Sequence, residues 1–225
     1  MLEMENFLDT THISLSLQEE QSTADAPPIE WHPLKPFLPR NGRVLFLGSF
    51  PPQRKRWSID FFYPNFINDH WRIEGQVFYQ DRLYFVKGKA FDLASIVKHC
   101  RCHGIGFFDT ATAVRRLKDN ASDKFLEVVV PTDIEALISE MPDLRAIVVT
   151  GEKAAETICR QMGVDGMPKV NSFVPLPNGL ELYRLPSSSR AYPLAFDKKV
   201  EAYRTMFMRY LDSLLSPSRS DDEEP

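Results

Sequence analysis

Several residues in this chain of 225 could do chemistry. Arg54-Lys55-Arg56 stands beside Trp57, and three bases next to a ring can hold a phosphate backbone while the ring stacks. The Asn68 amide can accept one hydrogen bond while donating another, which is enough to orient a water. Around it, residues 61–71 carry six aromatic rings, counting Phe61, Phe62, Tyr63, Phe66, His70 and Trp71. Such a cluster suits an aromatic-walled pocket and suits equally well a hydrophobic plug over a sheet. Cys100-Arg101-Cys102-His103 has a metal-site look, but its spacing is tighter than C-x2-C and no second Cys/His pair follows. Ser187 lacks the G-x-S-x-G elbow of a hydrolase nucleophile, and no histidine is placed in sequence to serve it.

The elements that would position these groups alternate. Val44-Leu-Phe-Leu47, led by Arg43, reads as a continuous apolar run, as in a strand buried on both faces. Gly48-Ser49-Phe50-Pro51-Pro52 ends it in a small, stiff loop. Helical spacing predicts a helix over residues 81–102, stopped by Gly104. Residues 105–109 predict a second strand ending at Asp109. Thr132-Asp-Ile-Glu135 predicts a capping box and a helix to about residue 141. Residues 144–150 predict a third strand, ending at Thr150, and Gly151 turns it into a helix to about residue 162. Residues 180–185 predict a fourth, followed by Ser187-Ser188-Ser189-Arg190. A final amphipathic helix is expected over about 197–215, with Val200, Tyr203, Phe207, Tyr210, Leu211 and Leu214 inward.

That alternation predicts a three-layer α/β/α fold around a central, mostly parallel, four-stranded sheet. In such a sheet the strands' C-terminal ends share one edge. Gly48 to Pro52, Asp109, Thr150 and Ser187 to Arg190 would then converge on a single cleft.

Composition bounds the partners. The net charge of -4 conceals a split: residues 36–215 hold 25 bases and 20 acids, while the acids concentrate at both ends. The middle is therefore mildly basic, which permits a phosphate-contacting face. Residues 1–35 read as an acidic, polar N-terminal extension, 36–215 as the folded domain and 216–225 as a disordered acidic tail. Three cysteines cannot build a disulfide framework, and they suit a reducing compartment. No apolar run is long enough for a membrane span, and the basic-then-apolar pattern of a signal peptide is missing. The expectation is a cytoplasmic monomer with no membrane partner, nucleoid-associated if bacterial.

Three segments together resemble the uracil-DNA glycosylase superfamily. They are Arg43-Val-Leu-Phe-Leu-Gly-Ser-Phe-Pro-Pro52, Asn68-Asp-His-Trp-Arg-Ile73 and Leu185-Pro-Ser-Ser-Ser-Arg190. The nearest branch is the hypoxanthine-DNA glycosylase group, followed by the mismatch-specific uracil and thymine glycosylases. Gly104-Ile-Gly-Phe-Phe-Asp109, Arg116, Ser122-Asp123 and Gly151-Glu-Lys-Ala154 also match that branch's pattern. The resemblance covers about residues 36–212.

The resemblance implies a repair enzyme that flips a deaminated base, of the hypoxanthine or uracil class, out of DNA and hydrolyses its N-glycosidic bond. Gly48, Ser49 and Phe50 would form the catalytic loop that positions water and faces the base, with Asn68 the catalytic amide. Tyr63 would stack on the base, with Phe50, Thr150 and Asp109 also lining its site. Ser187, Ser188 and Ser189 would grip phosphate, and Arg190 would wedge into the duplex. Arg54, Lys55 and Arg56 would add backbone contacts. No metal or other cofactor is implied. No lysine stands at a carried-over catalytic position, so strand cleavage through a Schiff base is not indicated.

The chain departs from the family at Phe50, where mismatch-specific enzymes carry asparagine, and at Asn65-Phe66, where His-Pro is common. Thr150 stands where relatives hold a base-reading asparagine, and Arg190 where the branch has proline. These departures keep a second reading open, a glycosylase-fold protein that binds nucleic acid with weak or lost catalysis.

Overall fold

The computed structural model describes residues 26–118 and 125–212. The acidic tail, most of the N-terminal extension, Ser122-Asp123 and Leu214 lie outside the described residues.

A five-stranded sheet forms the centre. Four of its strands are β2 (Val44–Gly48), β5 (Ile105–Asp109), β8 (Ala146–Val149) and β10 (Glu181–Arg184), and β9 (Ser172–Pro175) is the fifth. The order is β5-β2-β8-β10-β9. The first four run parallel, as the sequence predicts, and β9 adds an antiparallel edge beyond that prediction. β2, β5 and β8 are apolar apart from Asp109 at the end of β5 because both faces are covered, and all but the last residue of β2 are buried. On one face Phe46 meets His70, Tyr203 and Phe207. Those rings come from helices α1 (His70–Tyr79) and α5 (Phe196–Tyr210). Leu45 points to the other face, toward Gly106, which Met141 also approaches.

The helix expected over residues 81–102 is shorter. Val86–Lys87 (β3) and Ala90–Phe91 (β4) form a small hairpin around Gly88, whose φ of 62° suits a turn. Asp92 then accepts hydrogen bonds from the Ala94 and Ser95 amides and starts α2 (Leu93–His103). Gly104, left-handed at φ 66°, ends it as expected. The capping box also resolves differently. Asp133, not Thr132, caps α3 (Ile134–Ser139) through the Ala136 amide. Thr132 instead donates to the Asp109 carbonyl. α4 (Glu152–Gln161) follows Gly151, and α5 stops at Tyr210, short of the expected end.

A second, antiparallel sheet has no counterpart in the expected alternation. β1 (Ile29–Trp31) pairs with β6 (Ala111–Arg116), which pairs with β7 (Leu126–Pro131). The folded unit therefore begins by residue 29 and not at 36. Ile29, Glu30 and Trp31 lie opposite Arg115, Val114 and Ala113. Only Thr110 separates β6 from β5, so this sheet stands directly beside the C-terminal edge of the central one.

Candidate active site

At that edge lies a cleft of about 260 Å³. Five segments of the chain build it. The loop after β2 contributes Gly48, Ser49 and Phe50. The turn before α1 contributes Tyr63 and Asn68. Asp109 and Thr150 come from the ends of β5 and β8, and Ser187, Ser188 and Ser189 follow β10. The structure thus gathers ten of the predicted site residues around one cavity. Pro51, Phe62, Asn65 and Arg116 share its wall, and Phe107 and Phe108 form part of its lining.

Asn68 is tied into the backbone. Its Oδ1 accepts from the His70 amide at 2.9 Å, so it caps the first turn of α1. The N-cap position itself, Asp69, makes no side-chain cap. One Oδ1 lone pair is so used, and the second lone pair and the two Nδ2 hydrogens are left for a ligand. The turn is also joined to the serine loop. Asn68 and Ser189 form an isolated antiparallel bridge, and the Asp69 amide donates to the Ser188 carbonyl at 3.1 Å.

Tyr63 has φ 48°, a sparsely allowed conformation for a ring-bearing residue. Its ring stacks on His70, with centroids 3.6 Å apart and planes within 6°. Its hydroxyl lies 3.4 Å from Thr150 Oγ1, which links two of the four predicted base-binding residues. Beneath this stack His70 Nε2 sits 2.8 Å from Glu74 Oε1, and Glu74 Oε2 meets His99 Nε2 at 2.9 Å. Burial pushes the Glu74 carboxyl up, but the two imidazoles outweigh it and hold the pKa at about 2.

The serine loop is folded by its own hydroxyls. Ser187 Oγ accepts from the Ser189 amide and Ser189 Oγ from the Ala191 amide, both at 3.2 Å. Each O–H remains available as a donor. Among the described residues no histidine bonds Ser187, so a serine-hydrolase reading finds no base there. Lys199 Nζ supports the loop from below, donating to the Ser189 carbonyl at 2.7 Å.

The predicted cations stand apart from the cavity. Arg190 does not line it, because its Nε donates to Asp69 Oδ1 at 2.9 Å, and the guanidinium lies back against the turn. Arg54, Lys55 and Arg56 form an exposed 3-10 turn just past Pro52. Arg54 pairs with Asp60 at 2.6 Å and lies over the Trp57 ring at 4.4 Å.

Two groups at the cleft have partners that the sequence does not make legible. Asp109 receives a hydrogen bond from His32 at 2.8 Å. Arg116 donates to both Glu30 carboxylate oxygens at 3.1 Å and to the Pro51 carbonyl at 3.2 Å. His32 and Glu30 belong to the segment read as an extension, and only their two-residue spacing in extended chain could have hinted at their common face.

Among the described residues no group of three or more His, Cys, Asp or Glu side chains could hold a metal ion. None of their helices is long and apolar enough to cross a membrane.

No family model matches the chain, and no curated protein matches it. Among solved structures, its fold is similar to the solution structure of a protein from Methanosarcina acetivorans provisionally named a uracil DNA glycosylase. The TM-score is 0.55 at 23% identity, covering 81% of this chain and 98% of the other. The likeness is one of fold: a mixed α/β unit with a parallel-rich central sheet.

Proposed function

We propose that this chain is a monofunctional DNA N-glycosylase that flips a deaminated base, of the hypoxanthine or uracil class, out of the duplex and hydrolyses its N-glycosidic bond. The observation that carries the reading is the convergence of Asn68, Tyr63, the Gly48–Phe50 loop and the serine loop on one small cleft. A cavity of about 260 Å³ is at the low end for ligand sites and suits a single flat ring system. Chemistry on a base requires it to leave the stack, so a small aromatic-walled pocket beside a phosphate-binding loop fits the task.

The geometry supports the following roles. A flipped base stacks on the Tyr63 face turned away from His70. The Thr150 hydroxyl can donate to a carbonyl on its edge. Asn68 Nδ2 donates to the water or to the departing base, where negative charge develops as the bond breaks. Ser187 and Ser189 hydroxyls, backed by Lys199, hold the flanking phosphate. The DNA is the partner, and the enzyme acts as a monomer.

The test is an excision panel on duplexes holding uracil, hypoxanthine, xanthine or ethenocytosine. The expected product is an abasic site that breaks only after alkali treatment. One observation favours the second reading, a binding protein with weak or lost catalysis: the Asn68 carbonyl already spends one of its two lone pairs on the cap. Tight binding to a base-containing duplex with no excision from any member of the panel would establish that reading instead.

A further inference from the structure

Resting on the glycosylase reading, we propose that β1 is a working wall of the active site and that His32 is a positioning residue acting through Asp109.

Glu30 and His32 are two residues apart, so they share one side of an extended chain, and Trp31 between them is 64% exposed. Glu30 grips Arg116, which in turn holds the Pro51 carbonyl of the cleft loop. His32 grips Asp109 Oδ2. Its side chain is 2% exposed and that of Asp109 is 10%, so the pair is screened from water on one side and reaches the cleft on the other. The ring is wedged between Phe50 and Phe108, at centroid distances of 5.3 and 4.6 Å. His32 Nδ1 lies 2.9 Å from the Leu34 carbonyl and 3.2 Å from the Leu34 amide. One is an acceptor and the other a donor, so the ring is satisfied with or without a proton on Nδ1, while Nε2–H stays on Asp109.

The other carboxylate oxygen, Oδ1, passes under the β2 loop at Gly48, where any side chain would collide with it. Glycine at this position is what lets the carboxylate reach the loop. A fixed carboxylate there suits the charge changes of the reaction. The C1′–N bond breaks and its electron pair leaves with the base. The cationic sugar is stabilised by the Asp109 charge. Water then forms the C1′–O bond and its proton passes to Asp109, while the departing base takes up a proton from solvent. His32 holds Oδ2 so that Oδ1 faces the water.

The experiment uses the full chain. His32→Leu keeps the ring's apolar packing and removes the donor, whereas His32→Gln places an amide donor near the Nε2 position. Expected is a 10- to 100-fold fall in single-turnover excision for His32→Leu, about the scale of one hydrogen bond to a charged group, at unchanged DNA affinity. His32→Gln should recover most of that rate. His32→Leu combined with Asp109→Asn should be no slower than Asp109→Asn alone, because the two act as a unit. Wild-type excision by His32→Leu, no recovery in His32→Gln, or multiplicative losses in the double variant would each overturn the proposal. If the wild-type chain excises nothing, the glycosylase reading fails, and the pair is then read by nitrogen NMR of the His32 ring. Asp109→Asn should move those resonances, and unmoved resonances would refute the pairing itself.

Discussion

Asn68 serves two tasks at once, and substitution can separate them. Its carbonyl caps α1, and its amide nitrogen is the donor on offer to a ligand. Asn68→Ala removes both, so it should cost about 1 kcal/mol of stability through the missing cap as well as turnover. Asn68→Asp keeps the acceptor, and a negative charge at a helix N-terminus is favourable. It should therefore melt close to wild type, yet excise more slowly by a factor on the order of 10². Wild-type excision by the aspartate variant would remove Asn68 from the chemistry and leave it as a cap. At this scale the sequence is informative where function rests on residue types in short motifs. Gly48, Asn68 and Ser187 stand out by their neighbours alone. His32 does not, since its meaning depends on Asp109, 77 positions away, and no local pattern announces such a pair.

Among the elements, α1 shows why periodicity fails. His70, Trp71, Arg72, Ile73, Glu74, Gly75 and Val77 are all buried, so the helix has no solvent stripe to read. Its Glu74 is enclosed between His70 and His99, and this predicts an acid-labile fold. The carboxyl pKa falls from its ordinary 4.5 to about 2 on folding, so over that window the unfolded chain binds more protons. Stability from this group is fully present above pH 4.5 and is lost as pH falls toward 2. Denaturant midpoints measured across that range should drop in the wild type. Glu74→Gln should begin lower at neutral pH and change less with acid, and an equal slope in both proteins would refute the assignment. The parallel strands are readable for the opposite reason. Full burial on both faces makes β2, β5 before Asp109, and β8 continuous apolar runs. β1 is hard to read because it has only three residues, pairs with the distant β6 and lies in a polar stretch.

For the whole molecule, charge and the N-terminal boundary matter most. The basic turn Arg54–Arg56 adjoins the cleft through Pro52, and one of its bases is already paired with Asp60. Replacing all three by alanine should weaken binding to every duplex alike and flatten the salt dependence by about 0.9 in log–log slope for each phosphate that is no longer neutralised. An unaltered slope would place the phosphate track on another face. The boundary predicts a step in truncation. Removing residues 1–25 should leave melting and excision nearly intact. Extending the deletion through residue 33 takes away Glu30 and His32 and should impair both. If the longer deletion behaves like the shorter, β1 contributes nothing to the site. A further consequence follows from the bridge between Asn68 and Ser189, which fastens two loops over a hundred residues apart in the chain. Neither loop can be exchanged by itself. A chimera that imports a relative's serine loop with another residue at position 190 would leave Asp69 without its Arg190 partner, and a loop of different length or path would also lose the backbone bond between Asp69 and Ser188. Divergence at this cleft should therefore proceed by paired changes, and laboratory recombination should succeed only when the crossover points carry both segments together.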